Sequence, residues 1–468
     1  MKKTKIVCGI GPASSSVEVL RQMMESGMDV ARFDLGRLSY SFCSEAIAKI
    51  RKLNDELNRN VTILFDTRGS ELRVGTLDNG KVFLKKNSEV KIYESALIGT
   101  AEQFSVVYDH LLSDARVGMD FLFHDGKVKV QIVGKGDDFL IGEVVQEGFI
   151  FSKEPVHVPK LTYSTDYVSV KDREDIRFAV KEDVDFLALS AVQSHNDVLD
   201  VTDELIELGN DHIQLIAKIE NMQAVEELDS IIELSDGIMI ARGDLGVEVP
   251  LEKLPGIQKR SIAKVHKANK IGLVSTEMLA SMEHEVKPTR AEVSDVYNAV
   301  MDEVDAVALG NETTIGDYPV ETVRMMQKLL IAAENEVDYS LFTVNQQVRP
   351  DVTSLIASSI VMTANQLGAK GIVTSTNSGY TAKKISFYRP SCPILAATPS
   401  LDTLRSLTLH YGIYPVLMNR FDTSDEIVEY SKQLAIDLLS LKKGDYFVVS
   451  GGIPVSLNNT NFMKVEEI

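Results

Sequence analysis

The sequence predicts an α/β chain built on a (β/α)8 TIM barrel, with an inserted all-β lid domain and a C-terminal α/β domain. Three observations predict it. Short apolar, β-rich runs alternate with helical patterns through the first part of the chain. A stretch of all-β texture interrupts them after the third run. A fresh α/β pattern follows the eighth.

The runs are Lys5–Ile10, Asp29–Phe33, Val61–Phe65, Asp185–Leu189, Gln214–Ile219, Gly237–Ala241, Ile271–Ser275 and Asp305–Leu309. They are apolar on both faces, as strands of a covered parallel sheet must be. The segments between them read as helices. Ser14–Ser16 can cap a helix whose Val17, Leu20, Met23 and Met24 follow the 3.6-residue period, and Thr289 to Met301 repeats the style. Eight such units favour a closed barrel over an open sheet.

Between the third and fourth runs, Val82–Leu84, Val90–Ile92, Phe121–His124, Lys127–Ile132 and Phe139–Val145 read as strands. Asn79-Gly80, Asp125-Gly126 and Gly134–Asp138 read as the turns between them. An insertion in a loop at the C-terminal face of a barrel lies over the active site and can act as a lid. After the eighth unit a helix over about 320–336 leads to a polar stretch, Thr343–Asp351. Strands at Gly371–Ser375, Pro393–Ala397, Tyr414–Leu417 and Tyr446–Ser450 then form the last domain. The expected division is a barrel of residues 1–74 and 164–342, a lid of 75–163 and a C-terminal domain of 343–468.

Composition narrows the function. The 468 residues carry a formal net charge of −19 with 44% apolar residues, and the pI is about 5.0. Such a chain repels a phosphate backbone, which argues against nucleic-acid partners. Any small anionic substrate must meet a local cluster of cations. Cys8, Cys43 and Cys392 are scattered and show no zinc spacing, which points to buried thiols in a reducing, cytoplasmic setting. Ile6 to Ile10 is too short for a signal-peptide core, and no run of about 20 apolar residues offers a membrane span.

In a barrel, functional groups collect at the C-terminal strand ends. Here those ends read Gly9–Gly11, Arg32-Phe33-Asp34, Asp66-Thr67, Ser190, Lys218-Ile219-Glu220, Arg242-Gly243-Asp244, Thr276 and Glu312-Thr313. Lys218 and Glu220 are two apart on a strand and project on one face. A cation beside an anion can hold a transferring phosphoryl group and a metal, and Asp244 adds a second hard oxygen. Two carboxylates with open positions suit Mg²⁺, and phosphoryl transfer needs such a charge cluster. Arg242 to Gly246 reads as a glycine-bearing loop before a helix. Thr276 is a strand-end hydroxyl that would need a water chain to act as an acid. Arg32 and Arg73 are candidate phosphate clamps.

Two other motifs compete. Gly9-Ile10-Gly11-Pro12-Ala13-Ser14 after a strand, with Asp34 ending the next, imitates a dinucleotide fingerprint. Pro12 removes a phosphate-facing N–H, however, and Ser14 stands where the third glycine belongs. No GxxxxGK[ST] sequence occurs, so a nucleotide would be bound without a P-loop. In the last domain, Thr376, Ser378, Gly379 and Thr381 lie between a strand and a helix that carries Lys383 and Lys384. That is a candidate anion or effector site.

With these residues in view, the chain resembles the pyruvate kinase family from end to end. The resemblance is carried by Thr4-Lys5-Ile6-Val7, Gly11 to Ser14, Asp66-Thr67-Arg68-Gly69 and Lys171-Asp172-Arg173-Glu174-Asp175. It continues through Lys218-Ile219-Glu220-Asn221, Arg242 to Glu248, Pro288 to Asp295 and Gly316-Asp317-Tyr318-Pro319. It implies that phosphoenolpyruvate and ADP are converted to pyruvate and ATP. It implies that Lys218 stabilises the transferring phosphoryl group and that Glu220 and Asp244 bind Mg²⁺ or Mn²⁺. Arg32, Gly243, Asp244 and Thr276 would form the substrate site, with Thr276 implicated in protonating the enolate. Arg73 and Lys171 would face the nucleotide, and Asp66, Thr67 and Asp34 would belong to a monovalent-cation site for K⁺. The family is usually tetrameric, so a homotetramer is expected.

The departures cluster. The usual Arg-Leu-Asn-Phe-Ser-His-Gly reads Arg32-Phe33-Asp34-Leu35-Gly36-Arg37-Leu38, so two K⁺ ligands are Asp34 and Gly36 and the nucleotide-side His is Arg37. Ser70 replaces Pro, His124 replaces Asp and Glu277 replaces Gln. Gly310-Asn311-Glu312-Thr313 stands for Ser-Gly-Glu-Thr, while Glu71, typical of K⁺-requiring members, is kept. Gly36 deletes an oxygen ligand and Arg37 can replace a cation electrostatically, so weakened or absent K⁺ dependence is expected. The alternatives are an impaired paralogue acting as a metabolite-binding or regulatory protein, and a lyase on similar acids.

Overall fold

Eight parallel strands close into a barrel: Lys5–Gly9, Val30–Asp34, Thr62–Asp66, Phe186–Leu189, Gln214–Ile219, Gly237–Ala241, Ile271–Ser275 and Ala306–Leu309. The computed structural model describes residues 1–69, 72–339, 351–420, 423–452 and 460–468. The polar stretch over 343–350, along with Ser70 and Glu71, lies outside them. The expected runs coincide with the observed strands to within about a residue, because both faces of each strand are buried and apolar. The helices form where their caps allow. The Ser16 hydroxyl accepts the Val19 N–H at 3.2 Å and starts Val17–Glu25. Thr289 and Glu292 form a reciprocal capping box that starts Arg290–Met301.

The lower rim of the barrel is stapled by a fourfold pattern. Asp29, Asp185, Asp236 and Asp305 each immediately precede an even-numbered barrel strand. Each carboxylate accepts a backbone N–H from the preceding odd-numbered strand: Ile6 at 2.7 Å, Ile63 at 2.7 Å, Leu215 at 2.9 Å and Gly272 at 2.8 Å. The backbone N–H of the same aspartate returns a bond to the carbonyl of the same residue. Every other strand pair is thus locked in register at its start, which satisfies backbone donors that would otherwise end unpaired.

The inserted domain is a seven-stranded sheet in the order Pro155–Val156, Leu72–Val74, Gln103–Val107, Glu89–Tyr93, Phe139–Gln146, Val128–Lys135 and Asp120–Phe123. Lys81–Leu84 and Gly148–Phe151, far apart in the chain, form a separate two-stranded antiparallel sheet. Sequence reading misses Leu72–Val74 and Pro155–Val156, which are too short to show alternation, and Gln103–Val107 and Gly148–Phe151, whose burial does not alternate. Leu72–Val74 pairs with Gln103–Val107 and Pro155–Val156. The inserted sheet therefore already begins at Leu72, inside the segment 1–74 that the sequence assigns to the barrel.

The last sheet runs Ile413–Leu417, Ile394–Thr398, Ile372–Ser375, Tyr446–Gly451 and Phe462–Glu467. The first four strands are parallel and the fifth is an antiparallel edge strand that sequence reading also misses. This domain plugs the bottom of the barrel. Leu409 joins Val7, Val30, Leu64, Phe186 and Ile216 in the cluster that fills the barrel interior. Arg389 Nη1 and the Tyr411 N–H meet Asp305 Oδ1 at 3.0 and 3.1 Å, and the Lys5 ammonium donates to the Ile413 carbonyl. Among the described residues no helix is long and apolar enough to cross a membrane.

Lys5 is fully buried at this junction. Burial pushes its ammonium down to about 8, Lys2 adds to the fall, and Asp29 and Glu334 oppose it. Between about pH 8 and the unfolded lysine value near 10.4 the unfolded chain holds the extra proton, so stability rises with pH across that window. Replacing Lys5 by Met removes this rise. The stability of K5M relative to the parent should fall by about 3 kcal/mol from pH 7 to pH 10.5 in denaturant unfolding. An identical difference at both pH values would contradict this linkage.

Candidate active site

The C-terminal ends of the barrel strands bring four charged side chains into one buried array. Arg32 on the second strand donates through Nε to Asp66 Oδ2 at 2.8 Å, and its Nη2 reaches the same oxygen. Lys218 on the fifth strand lies 3.9 Å from Asp66 Oδ2 and 2.7 Å from Glu220 Oε1. The Ser190 hydroxyl accepts a hydrogen bond from Lys218 at 2.9 Å, and the Ala191 N–H donates to Glu220 Oε2 at 2.6 Å. Sequence reading names Ser190 only as a strand end and has no signal for the Ala191 contact, which depends on a left-handed backbone at φ 56°.

The charges are unevenly compensated. Burial alone would lower the Lys218 ammonium, but Glu220 and Asp66 outweigh it and hold it above its ordinary value. Burial would raise Asp66, but Arg32 and Lys218 bring it below the usual carboxylate range. Glu220 is different. Burial pushes it up to about 7 and Asp244 adds to the rise, more than Lys218 can offset. The two partners of one ion pair thus shift in opposite senses for stability. The asymmetry is physical: Lys218 faces two carboxylates, whereas Glu220 shares one ammonium with Asp66 and meets a second anion. A buried site left with surplus negative charge is suited to a cation.

Asp244 does not sit in a loop. Arg242–Glu248 is a short helix that starts directly at the end of the sixth strand, and the Asp244 side chain is half exposed on its first turn. The loop read from Gly243 and Gly246 is corrected accordingly; local i→i+4 bonding overrides the glycines. Arg242 points away from the array. It donates to the Thr276 carbonyl at 2.7 Å and to Asp295 at 2.7 Å, pinning a strained turn. Thr276 has φ 73° and Glu277 φ 56°, a left-handed pair at a β-branched residue. Gly243 is required beside it, since a Cβ there would come within 2.8 Å of Thr276 Cγ2.

Other sequence-named residues lie elsewhere. Arg73 is on the inserted sheet and donates to the Lys153 carbonyl at 2.8 Å. Lys171, on helix Val170–Lys181, donates to the Tyr40 hydroxyl at 2.9 Å and to Glu174 at 2.6 Å. Asp34 Oδ1 accepts the Gly36 N–H at 2.9 Å, and Oδ2 pairs with Arg37 Nε at 3.2 Å. Thr67 is tied to Ser190, its carbonyl accepting the Ser190 hydroxyl at 2.8 Å. Asp66 Oδ1 is buried with no hydrogen-bond partner. In the last domain, Thr376 Oγ1 accepts the Gly379 N–H at 3.0 Å, Thr381 meets Thr460 through their hydroxyls, and Ser378 is exposed. The fingerprint-like glycines have a packing role, because a Cβ on Gly11 would strike the Thr314 carbonyl at 2.6 Å.

Among the described residues no cluster of three or more His, Cys, Asp or Glu is arranged around a metal. The hard oxygens of Glu220 and Asp244 still fit a divalent ion that takes its remaining ligands from water and substrate, and the surplus negative charge at Glu220 supports that fit.

Residues 1–323 match the family model for the pyruvate kinase barrel domain, and residues 354–466 match that for its alpha/beta domain. The chain is 39% identical over 469 residues to a pyruvate kinase of Bacillus licheniformis, covering 99% of this chain and 80% of that protein. It is 40% identical over 472 residues to one of Staphylococcus haemolyticus, with the same coverage. A crystal structure of a pyruvate kinase from Cryptosporidium parvum superposes with a TM-score of 0.94 at 34% identity, covering 100% of this chain and 96% of that one. Fold and matches together define a phosphotransferase on a lidded (β/α)8 barrel. The chain belongs to the pyruvate kinase family, and its activity is the glycolytic transfer of a phosphoryl group from phosphoenolpyruvate to ADP. That family typically uses divalent and monovalent cations.

The contact between Gly243 and Thr276 makes a prediction. Gly243→Ala must displace Thr276 or the helix, and a misplacement near 1 Å costs about 10²-fold in rate. Turnover should fall on that scale in a coupled pyruvate assay, while the melting temperature changes little. Activity within twofold of the parent would show that this close approach does not matter.

Proposed function

We propose that the array at the barrel mouth carries the phosphoryl transfer, with the division of labour the family resemblance implies. The single observation behind this reading is the placement of Lys218, a buried ammonium held at 2.7 Å from Glu220 beside the Arg32–Asp66 pair. Arg32, Gly243 and Thr276 receive phosphoenolpyruvate, with Arg32 meeting its phosphate. Lys218 stabilises the charge on the phosphoryl group as the enol P–O bond breaks and a β-phosphate oxygen of ADP forms the new bond. The enolate left behind takes a proton at carbon, delivered on the Thr276 side through water. Glu220 and Asp244 would hold Mg²⁺ or Mn²⁺, which would supply positive charge to offset the negative charge on the phosphate groups. Arg73 and Lys171 face the nucleotide. The barrel of residues 1–74 and 164–342, the lid of 75–163 and the C-terminal domain of 343–468 are the units of this reading, moved at the first hinge to begin the lid at Leu72. Thr376, Ser378, Gly379 and Thr381 form its candidate effector site. The working form is a cytoplasmic homotetramer.

The monovalent cation is where this chain differs. Both oxygens of Asp34 are engaged, one by the Gly36 N–H and one by Arg37. Gly36 supplies no hydroxyl ligand. The Arg37 guanidinium brings a fixed positive charge to the place where a diffusible one would act. Among the described residues the bare Asp66 Oδ1 still suits a cation, so dependence on K⁺ is weakened, although a bound K⁺ can still contribute.

The test is an assay with phosphoenolpyruvate, ADP and Mg²⁺, with and without K⁺, following pyruvate. Pyruvate should form in both, with less than tenfold activation by K⁺. Activation above tenfold would reject the replacement of the cation by Arg37, and no pyruvate in either would reject the assignment of the site.

A further inference from the structure

Helix Val170–Lys181 carries a second charge network, separate from the array around Lys218. Its centre is Asp175, which is fully buried. The Tyr40 hydroxyl donates to Asp175 Oδ1, Arg68 Nε donates to Oδ2 at 3.1 Å, and Lys171 Nζ lies 3.8 Å from Oδ1. The same Tyr40 hydroxyl accepts from Lys171 at 2.9 Å. It is therefore a two-way bridge between an exposed lysine and a buried carboxylate. The Tyr40 ring is itself fixed, stacked on Phe178 at 4.2 Å and 19°. Phe178 stacks in turn on Phe65, the residue before Asp66, at 5.5 Å. One turn earlier on the helix, Asp172 accepts the Gly69 N–H at 3.2 Å. Arg68 and Gly69 lead from the third barrel strand to Leu72–Val74 of the inserted sheet, so the helix that bears Lys171 also grips the hinge of the lid.

A lysine on a flexible four-carbon stem binds an anion well only where something holds it in place. The other partners of Lys171 are Glu174, an exposed i,i+3 pair that restrains little, and Asp175 itself, too far at 3.8 Å for a hydrogen bond, while the Tyr40 ring lies 4.6 Å from the ammonium. Tyr40 is the rigid contact. We propose that Tyr40 is a positioning residue for the nucleoside diphosphate: its hydroxyl anchors Lys171 to the buried Asp175, on the helix that holds the lid hinge, and so sets the affinity for ADP. This rests on the reading of Lys171 as a nucleotide-facing residue.

Tyr40→Phe keeps the ring stack and removes the bridge. Losing one hydrogen bond to a charged group should raise the KM for ADP about tenfold. The KM for phosphoenolpyruvate and kcat should stay within about twofold, and the melting temperature should stay close to that of the parent. Lys171→Ala should raise the KM for ADP at least as much, and the double variant should be no worse than Lys171→Ala alone, because Tyr40 acts through Lys171. If Lys171→Ala raises the KM for ADP and Tyr40→Phe does not, the inference fails and the nucleotide role of Lys171 stands. An unchanged KM for ADP in Lys171→Ala removes both. A rise in both substrate KM values with a lowered melting temperature in Tyr40→Phe would mark a general structural effect and overturn the positioning role.

Discussion

Taking an ammonium out of water at the mouth of a barrel is costly, and Lys218 stays charged there only because Glu220 and Asp66 stand on either side of it. Much of the surrounding architecture follows from that requirement. Asp66 must be held by Arg32 to remain a carboxylate, and Glu220 must be oriented by the Ala191 N–H. The array still has more negative charge than its two cations settle at Glu220, where Asp244 approaches. A site in that state favours a divalent cation and the phosphate oxygens that come with it. Low dielectric strengthens each of these interactions relative to water, which is how a small number of side chains can stabilise a transferring phosphoryl group.

Such precision needs a stiff support. The four aspartate staples at the lower rim hold alternate strand pairs in register, and the C-terminal domain closes the barrel from below through Leu409, Arg389 and Tyr411. The turns at the upper rim are strained. Ala191, Thr276 and Glu277 all take left-handed backbone conformations there, and Arg242 clamps the Thr276 carbonyl. Rigid strands below and strained turns above are the arrangement expected when side-chain placement at the strand ends is what function requires.

The barrel was legible because its strands are buried on both faces and show as apolar runs, and because Ser16 and Thr289 cap their helices locally. Lys218 and Glu220 were legible as one cluster because residues two apart on a strand share a face. What was not legible depends on long-range geometry. The strands Leu72–Val74 and Pro155–Val156 are too short to carry a period, and Phe462–Glu467 is a half-exposed edge strand with no apolar run. The helix at Arg242 is hidden by its glycines. The aspartate staples had a faint signal, an Asp ahead of alternate strands, whose meaning appears only once neighbouring strands are paired. The bridge from Tyr40 to Asp175 joins residues far apart in sequence and could be found only in the folded chain.

The central claim is that Lys218 carries the transferring charge and is not simply part of a structural ion pair. Replacing Lys218 by Met separates the two, since Glu220, whose carboxyl burial and Asp244 already push up to about 7, can take up a proton once its partner is gone. The decisive measurement is pyruvate formation by Lys218→Met at saturating phosphoenolpyruvate, ADP and Mg²⁺, alongside its circular dichroism spectrum and its binding of Mn²⁺. A charge-carrying Lys218 predicts a native spectrum, retained Mn²⁺ binding and turnover reduced by at least about 10³-fold, the scale expected when a preorganised charge is removed from a developing phosphoryl transition state. Turnover within tenfold of the parent would contradict it.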